Sequence, residues 1–296
     1  MSFSAEWLAL REPVDHRSID VSLRGAVAAR FADRAPLRVL DMGCGSGSNL
    51  RGLAPHLGEV QRWTLADWDE RLLAHARAAL RQWADEAQDE AQDDAQDDSQ
   101  ADSPCGALML HKAGKSIRVD FLKVDLARDV ESALDRAPDL VVAAAFFDLV
   151  SRDWITRFAQ AMARRRLPLY TVLTYDGREA WAPAHPADAA MLAAFHAHQG
   201  SDKGFGPAAG PAAAHALAQA FEAQGYEVRR ALSPWRISAA DGGLLDELAK
   251  GAAQAVRETG RLAVEQTDAW LAARTDASLS ARACEIGHED TFAAPR

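Results

Sequence analysis

Cysteine is scarce: three in 296 residues (Cys44, Cys105 and Cys284), odd in number and far apart. That excludes a disulfide framework, and with no CxxC pair there is no zinc pattern either. Long apolar runs are also missing. The longest, Leu140–Phe147 (LVVAAAFF), has eight residues, less than half of the ~20 that a membrane helix needs. The N-terminus, MSFSAEWLALREP, has neither a basic start nor an apolar core, so no signal peptide is expected. These absences predict a cytoplasmic protein. No basic, aromatic-laced stripe suggests a nucleic-acid groove, so no nucleic-acid or membrane partner is expected.

A net charge of −10 at first suggests an acidic surface. The acids are unevenly placed. Asp85 to Asp102 reads DEAQDEAQDDAQDDSQAD, with nine acids and no base; without it, 34 acids face 33 bases. One tract therefore makes the chain acidic, and global charge says little about partners. The tract repeats in fours, which would set like charges against each other on a helix. Low hydrophobicity with high charge predicts a disordered loop. Deleting 89–100 is expected to leave ligand affinity unchanged.

The remainder, at 48% hydrophobic and 26% charged over the whole chain, is ordinary for a globular protein. Spacing predicts a helix over 17–35 (Ile19, Leu23, Val27 and Phe31 four apart) and another over 70–84. Short apolar strands are expected at 37–41, 62–67, 108–111, 116–125, 138–145, 167–175 and 226–233, with a last candidate at 282–287. Strands alternating with helices imply a mostly parallel sheet covered on both faces. A single domain over 1–296 is expected. Within it, 85–102 forms the acidic loop, 176–210 a substrate-side insert, and 241–274 extra helices.

The chemistry-bearing motif is Asp41-Met42-Gly43-Cys44-Gly45-Ser46-Gly47, between a strand and a helix. Glycines let the chain turn sharply and let a ligand approach the backbone. The third glycine of a dinucleotide fingerprint would fall on Ser48. An acid before the first glycine disfavours a pyrophosphate and favours a cationic ligand. An NAD-dependent oxidoreductase is thereby disfavoured.

RVLDMGCGSGSNL resembles the first motif of the class I S-adenosylmethionine-dependent methyltransferases. The resemblance covers about 37–151 and, more loosely, continues to 233. It implies a Rossmann-like, doubly wound, seven-stranded sheet with a final antiparallel strand. It also implies an S-adenosyl-L-methionine site formed by Asp41, Gly43, Cys44, Gly45 and Gly47. Asp67, at the end of the second strand, would hold the ribose, and Trp68 would lie against the adenine. Asp125 and Leu126 follow the third strand, and Ala143 lies on the fourth.

The acceptor side is less marked. The Asn/Asp-Pro-Pro-aromatic signature of one branch is absent, since AAAFFD stands there. Asp148 is then the nearest candidate base, although it equally suits a helix start. His196 and His198 are further catalytic candidates, set before a glycine loop; a core role for them stays open. Their spacing is not that of metal ligands on a helix, so no metal is expected. His16, Asp176, Arg178 and Lys203 are candidate substrate contacts. Arg11 or Arg17 would meet the methionine carboxylate if the N-terminal stretch folds over the cofactor. The expected function is methyl transfer to a small molecule. An aminopropyl-transfer enzyme and a non-catalytic cofactor-binding module are the alternatives.

Overall fold

The computed structural model describes residues 3–90, 106–276, 278 and 281–296. In chain order the elements begin α1 (Ala5–Ser18), α2 (Val21–Arg30), β1 (Leu37–Met42), α3 (Ser48–Leu53), β2 (Val60–Asp67) and α4 (Glu70–Trp83). Next come β3 (Glu86–Asp89), β4 (Leu108–Lys112), β5 (Lys115–Lys123), α5 (Val130–Leu134), β6 (Leu140–Ala144), α6 (Arg152–Arg165) and β7 (Leu169–Ala182). The chain closes with α7 (Asp188–Gln199), α8 (Ala213–Glu222), β8 (Tyr226–Leu232), β9 (Trp235–Ser238), α9 (Gly242–Thr259), α10 (Val264–Thr275) and β10 (Ala283–Pro295).

One sheet runs β3-β4-β5-β2-β1-β6-β7-β10-β8, with β9 added along β10. The five strands β5, β2, β1, β6 and β7 are parallel. β10 is antiparallel to β7, β8 and β9. Trp63, Leu65, Ile117 and Val142 are buried on one face with Leu23, Val27 and Leu73 from the helices. Leu40, Val141 and Leu169 meet α6 and α8 through Phe158, Met162, Leu217 and Phe221 on the other. Burial on both faces explains why the central strands are apolar runs rather than alternating ones. This is the Rossmann-like doubly wound architecture expected.

The strand count differs. There are ten strands among the described residues, not seven. β3 and β4 extend one edge as a meander, and β9 is a four-residue addition. The β4–β5 hairpin turns at Ala113 and Gly114, both at positive φ (49° and 78°), as a right-twisted two-residue turn requires. The first part of the acidic tract is strand β3, paired with β4 from Glu86 to Asp89. Residues 91–102, where the disordered loop was expected, lie outside the described residues.

Two further expectations need correction. The helix over 17–35 is broken: α1 ends at Ser18 and α2 starts at Val21. Asp20 caps α2, its carboxylate accepting from the Leu23 N–H at 2.6 Å. Ile19, Leu23, Val27 and Phe31 are all buried, so the periodicity marked the buried face and missed the break. The last strand spans Ala283–Pro295, not 282–287. It is long because β7 also continues past Tyr175 to Ala182, and the two pair along most of their length.

That long β7–β10 ladder carries a small helical layer. Met191 and Ala194 of α7 pack on Ala249 and Val256 of α9 and Trp270 of α10. Asp188 accepts from the Trp270 indole at 2.7 Å and pairs with Arg274. Segments 176–210 and 241–274, distant in sequence, thus share one minor core.

Candidate ligand site

The order of strands reverses at β1, between β2 and β6, so crossovers leave in opposite directions from its C-terminal end. Open α/β sheets form a crevice at such a point. Here it holds a cavity of about 370 Å³. Its walls come from the loops after β1, β2, β5 and β6, from α1, and from the bulged middle of β7.

The glycine loop forms one wall. Gly43 and Gly45 have φ of +63° and +52°. A Cβ on Gly43 would lie 2.8 Å from the Phe146 ring, and one on Gly45 would lie 3.1 Å from Leu8. Both positions therefore need glycine for conformation and for room. Gly47 (φ +75°) starts α3 and faces Ala76 and Leu65 rather than the cavity.

Two carboxylates lie under this loop. Asp41, fully buried, accepts from Asn49 Nδ2 at 2.9 Å through Oδ1, while its Oδ2 has no partner. Burial pushes its pKa up to about 7, against the Asn49 bond and helped by the charge of Asp67. Asp67 accepts from the Gly45 N–H and the Asp69 N–H, both at 3.0 Å. Burial raises its pKa as well. The Ser46 hydroxyl is buried without a partner. Cys44 lines the cavity as a thiol whose pKa burial lifts well above normal, which makes it an unreactive wall group.

Trp68 stands half exposed at the rim, and Asp125 and Leu126 line the wall after β5. The Asp125 carboxylate accepts from the Ala127 N–H at 3.0 Å and sits 3.4 Å from Arg128. The Leu126 carbonyl accepts from the Trp154 indole at 3.0 Å. Ala143 is in the interior of β6, packed in the core. Ala144 and Ala145 are the residues that reach the cavity there.

Helix α1 closes one side. Glu12 pairs with Arg51 of α3, whose Nε lies 2.7 Å from Oε1, and Arg51 Nη1 donates to the Ser46 carbonyl at 2.8 Å. His16 Nε2 lies 3.0 Å from both the Ser48 carbonyl and its hydroxyl. These contacts clamp α1 to the glycine loop. Arg11 and Asp15, one turn apart on α1, also line the cavity. Arg11 Nε donates to Asp15 at 2.8 Å, and its guanidinium lies over the Trp235 ring. Arg17 turns away and pairs with Asp241 at 2.7 Å.

The acceptor-side candidates divide. Lys203 reaches the cavity with Gly204 and Phe205. Asp148 does not line it. Its Oδ1 is buried and unpartnered, and burial pushes its pKa up to about 6 against the charge of Arg11. His196 bonds the Tyr175 hydroxyl at 2.9 Å and tethers α7 to β7. His198 bonds Glu258 of α9 at 3.0 Å. Asp176 and Arg178 pair with each other on the continued β7. None of these four lines the cavity. Among the described residues no cluster of three or more His, Cys, Asp or Glu is arranged to hold a metal.

Asp15, Asn49, Arg128, Val172 and Leu173 are wall residues that the sequence did not single out. Asn49 lies within RVLDMGCGSGSNL, and no local motif marks the other four. Leu173 is the least foreseeable. Its φ is +58°, and β7 bulges there between Thr171 and Thr174. Asp290 of β10, fully buried, accepts from the Leu173 N–H at 2.9 Å, from the Asp20 N–H at 2.8 Å and from the Ser233 hydroxyl at 2.6 Å. This carboxylate supports the bulge that turns Val172 and Leu173 toward the cavity.

Fold and cavity define a doubly wound α/β protein with a ligand site at its topological switch point. No protein-family model matches the chain, and no curated protein matches it. Among solved structures it is similar to a SAM-dependent methyltransferase from Thiobacillus denitrificans in complex with S-adenosyl-L-homocysteine. That match has 15% identity over 99% of this chain and 100% of the other, with a TM-score of 0.43. It is similar also to a cyclopropane-fatty-acyl-phospholipid synthase-like protein from Lactobacillus casei, with 14% identity, 95% and 99% coverage, and a TM-score of 0.44. A precorrin-6y C5,15-methyltransferase from Geobacter metallireducens gives 11% identity, 93% and 88% coverage, and 0.41. Likenesses at this level decide neither fold nor activity; the strand order carries the fold.

Proposed function

We propose that this chain is a class I S-adenosylmethionine-dependent methyltransferase, a single cytoplasmic domain acting on a small molecule. The observation that carries the reading is the pair of carboxylates under the glycine loop. Asp41 and Asp67 face one cavity and receive only amide donors, from Asn49, Gly45 and Asp69. A ligand with ammonium and sulfonium charges and a ribose diol suits two such acids; an anionic dinucleotide does not. The orphaned Asp41 Oδ2 and Ser46 hydroxyl fit a polar ligand group.

When bound, S-adenosylmethionine supplies an electrophilic methyl group. Asp67 would hold the ribose hydroxyls, and Trp68 would lie against the adenine. The α1 wall and Phe146 would shield the reacting centre from water, so that positioning and desolvation would supply much of the rate. The free thiols Cys44 and Cys284 suit a reducing compartment. No helix among the described residues is long and apolar enough to cross a membrane.

Titration calorimetry with S-adenosylhomocysteine tests the reading. The wild-type chain is expected to bind, and Asp67→Ala, folded by circular dichroism, to bind at least tenfold more weakly. Absence of binding by wild type, or equal affinity in the folded variant, overturns it. Labelled methyl release separates an enzyme from a binding module.

A further inference from the structure

We propose that the acceptor is an apolar carboxylate, held by Lys203 and converted to its methyl ester. This rests on the methyltransferase reading and names the substrate class of that same site. The first support is the cation. The Lys203 ammonium lies 2.8 Å from the Ser201 hydroxyl and 3.3 Å from the His198 carbonyl, and no carboxylate among the described residues pairs with it. The two acids around it are engaged elsewhere. Glu258, whose charge it feels, is exposed and bonded by His198 and Gln254. Asp202 accepts from the Gly204 and Gly206 N–H groups. A partly buried lysine that lines the cavity, and whose ammonium bonds only neutral groups, suits an anionic ligand group.

The second support is that, among the described residues, no free base lines the cavity beside Lys203. Asp15 is bound through both oxygens to Arg11, at 2.8 and 3.2 Å. His16 is engaged by Ser48. Asp148, His196 and His198 do not line the cavity. A hydroxyl or ammonium acceptor would need a base to take its proton, whereas a carboxylate is already a nucleophile. The third support is the lining: Ile19, Phe146, Leu149, Val172, Leu173 and Phe205 offer an apolar wall beside the ammonium.

The step balances without a proton. A lone pair of the carboxylate oxygen forms the O–CH3 bond as the S–CH3 bond breaks. The bonding pair stays on sulfur, giving the neutral thioether. One positive and one negative charge are lost together, so a dry cavity favours the transfer.

The test incubates the full chain with tritium-methyl S-adenosylmethionine and hexanoate, decanoate, benzoate or phenylacetate, beside the matching alcohols, amines and thiols. The expected product carries label released as methanol by mild alkali. With S-adenosylmethionine saturating at each pH, its rate should be flat from pH 6.5 to 8.5. Lys203→Gln is expected to lower carboxylate kcat/KM at least tenfold with S-adenosylhomocysteine affinity unchanged, and Lys203→Arg to restore most of it. Cofactor binding without carboxylate turnover overturns the proposal. So does alkali-stable label, a rate rising tenfold per pH unit, or loss of S-adenosylhomocysteine affinity in Lys203→Gln. Absence of cofactor binding by wild type would instead sink the methyltransferase reading itself.

Discussion

Asp41 sits fully buried with one oxygen unpartnered, and this is costly to the ligand-free fold. Burial raises its pKa to about 7 from an ordinary 3.8. Between those values the folded chain holds a proton that the unfolded chain has released. Stability from this group therefore falls as pH rises from about 4 to 7. Asp41→Asn keeps the oxygen facing Asn49 and removes the buried charge. At pH 7.5 it is expected to melt higher than wild type and at pH 4.5 about equally, while binding S-adenosylhomocysteine more weakly. Scanning calorimetry at the two pH values checks this; a lower Tm at pH 7.5 would contradict it. The acid and the glycines were legible because they occupy a few consecutive residues with a shared local geometry. Asn49 and Asp15 were not, because neither residue type nor spacing says which group they meet, Asp41 for the one and Arg11 for the other.

The β7–β10 ladder decides where most acceptor-side candidates go. The apolar run LPLYTVLTY ends at Tyr175, which by itself would leave Asp176 and Arg178 at the sheet's ligand edge. Pairing with Ala283–Ile286 carries β7 on to Ala182. Asp176 then packs against Gly287, so closely that a Cβ there would overlap its carboxylate. Gly287→Ala is expected to destabilise the fold by about 1–3 kcal/mol, the range for overpacking a tight site. Urea unfolding measures it, and Asp176→Ala in the same chain should recover most of the loss. A Gly287→Ala variant as stable as wild type would show that Asp176 moves freely, and so that this part of β7 is not rigid. The helix α1 was missed for a related reason. It contains Pro13, and its docking rests on Glu12, His16 and Arg11 rather than on a wide apolar stripe.

Across the whole molecule, the acidic tract and the site are separate in composition. The tract supplies nine of the acids. The cavity draws on the strand ends, on α1 and on the Lys203 loop. A deletion spanning 89–100 would remove Asp89, which pairs with Arg77 and Arg81 of α4. Deleting 91–102 keeps that residue. It is expected to leave S-adenosylhomocysteine affinity within twofold of wild type and to raise the isoelectric point. Calorimetry on the shortened chain checks both halves of the expectation. A tenfold loss would tie the tract to the site.

By itself the sequence determined the parallel α/β core, the glycine turn, and the two acids at the ends of adjacent strands. Each depends on local order: apolar runs, glycine conformational freedom, and a carboxylate at a strand end. Only the tertiary structure decided which polar residues share the cavity. It drew His196, His198, Asp176 and Arg178 into packing the extended ladder and its helices. It brought Arg11, Asp15 and Leu173 to the wall. The physical reason is that those placements follow from long-range strand pairing and helix docking. Their contacts reach across the chain, over 21 residues for His196 with Tyr175, 60 for His198 with Glu258 and 117 for Leu173 with Asp290, and no local pattern encodes them.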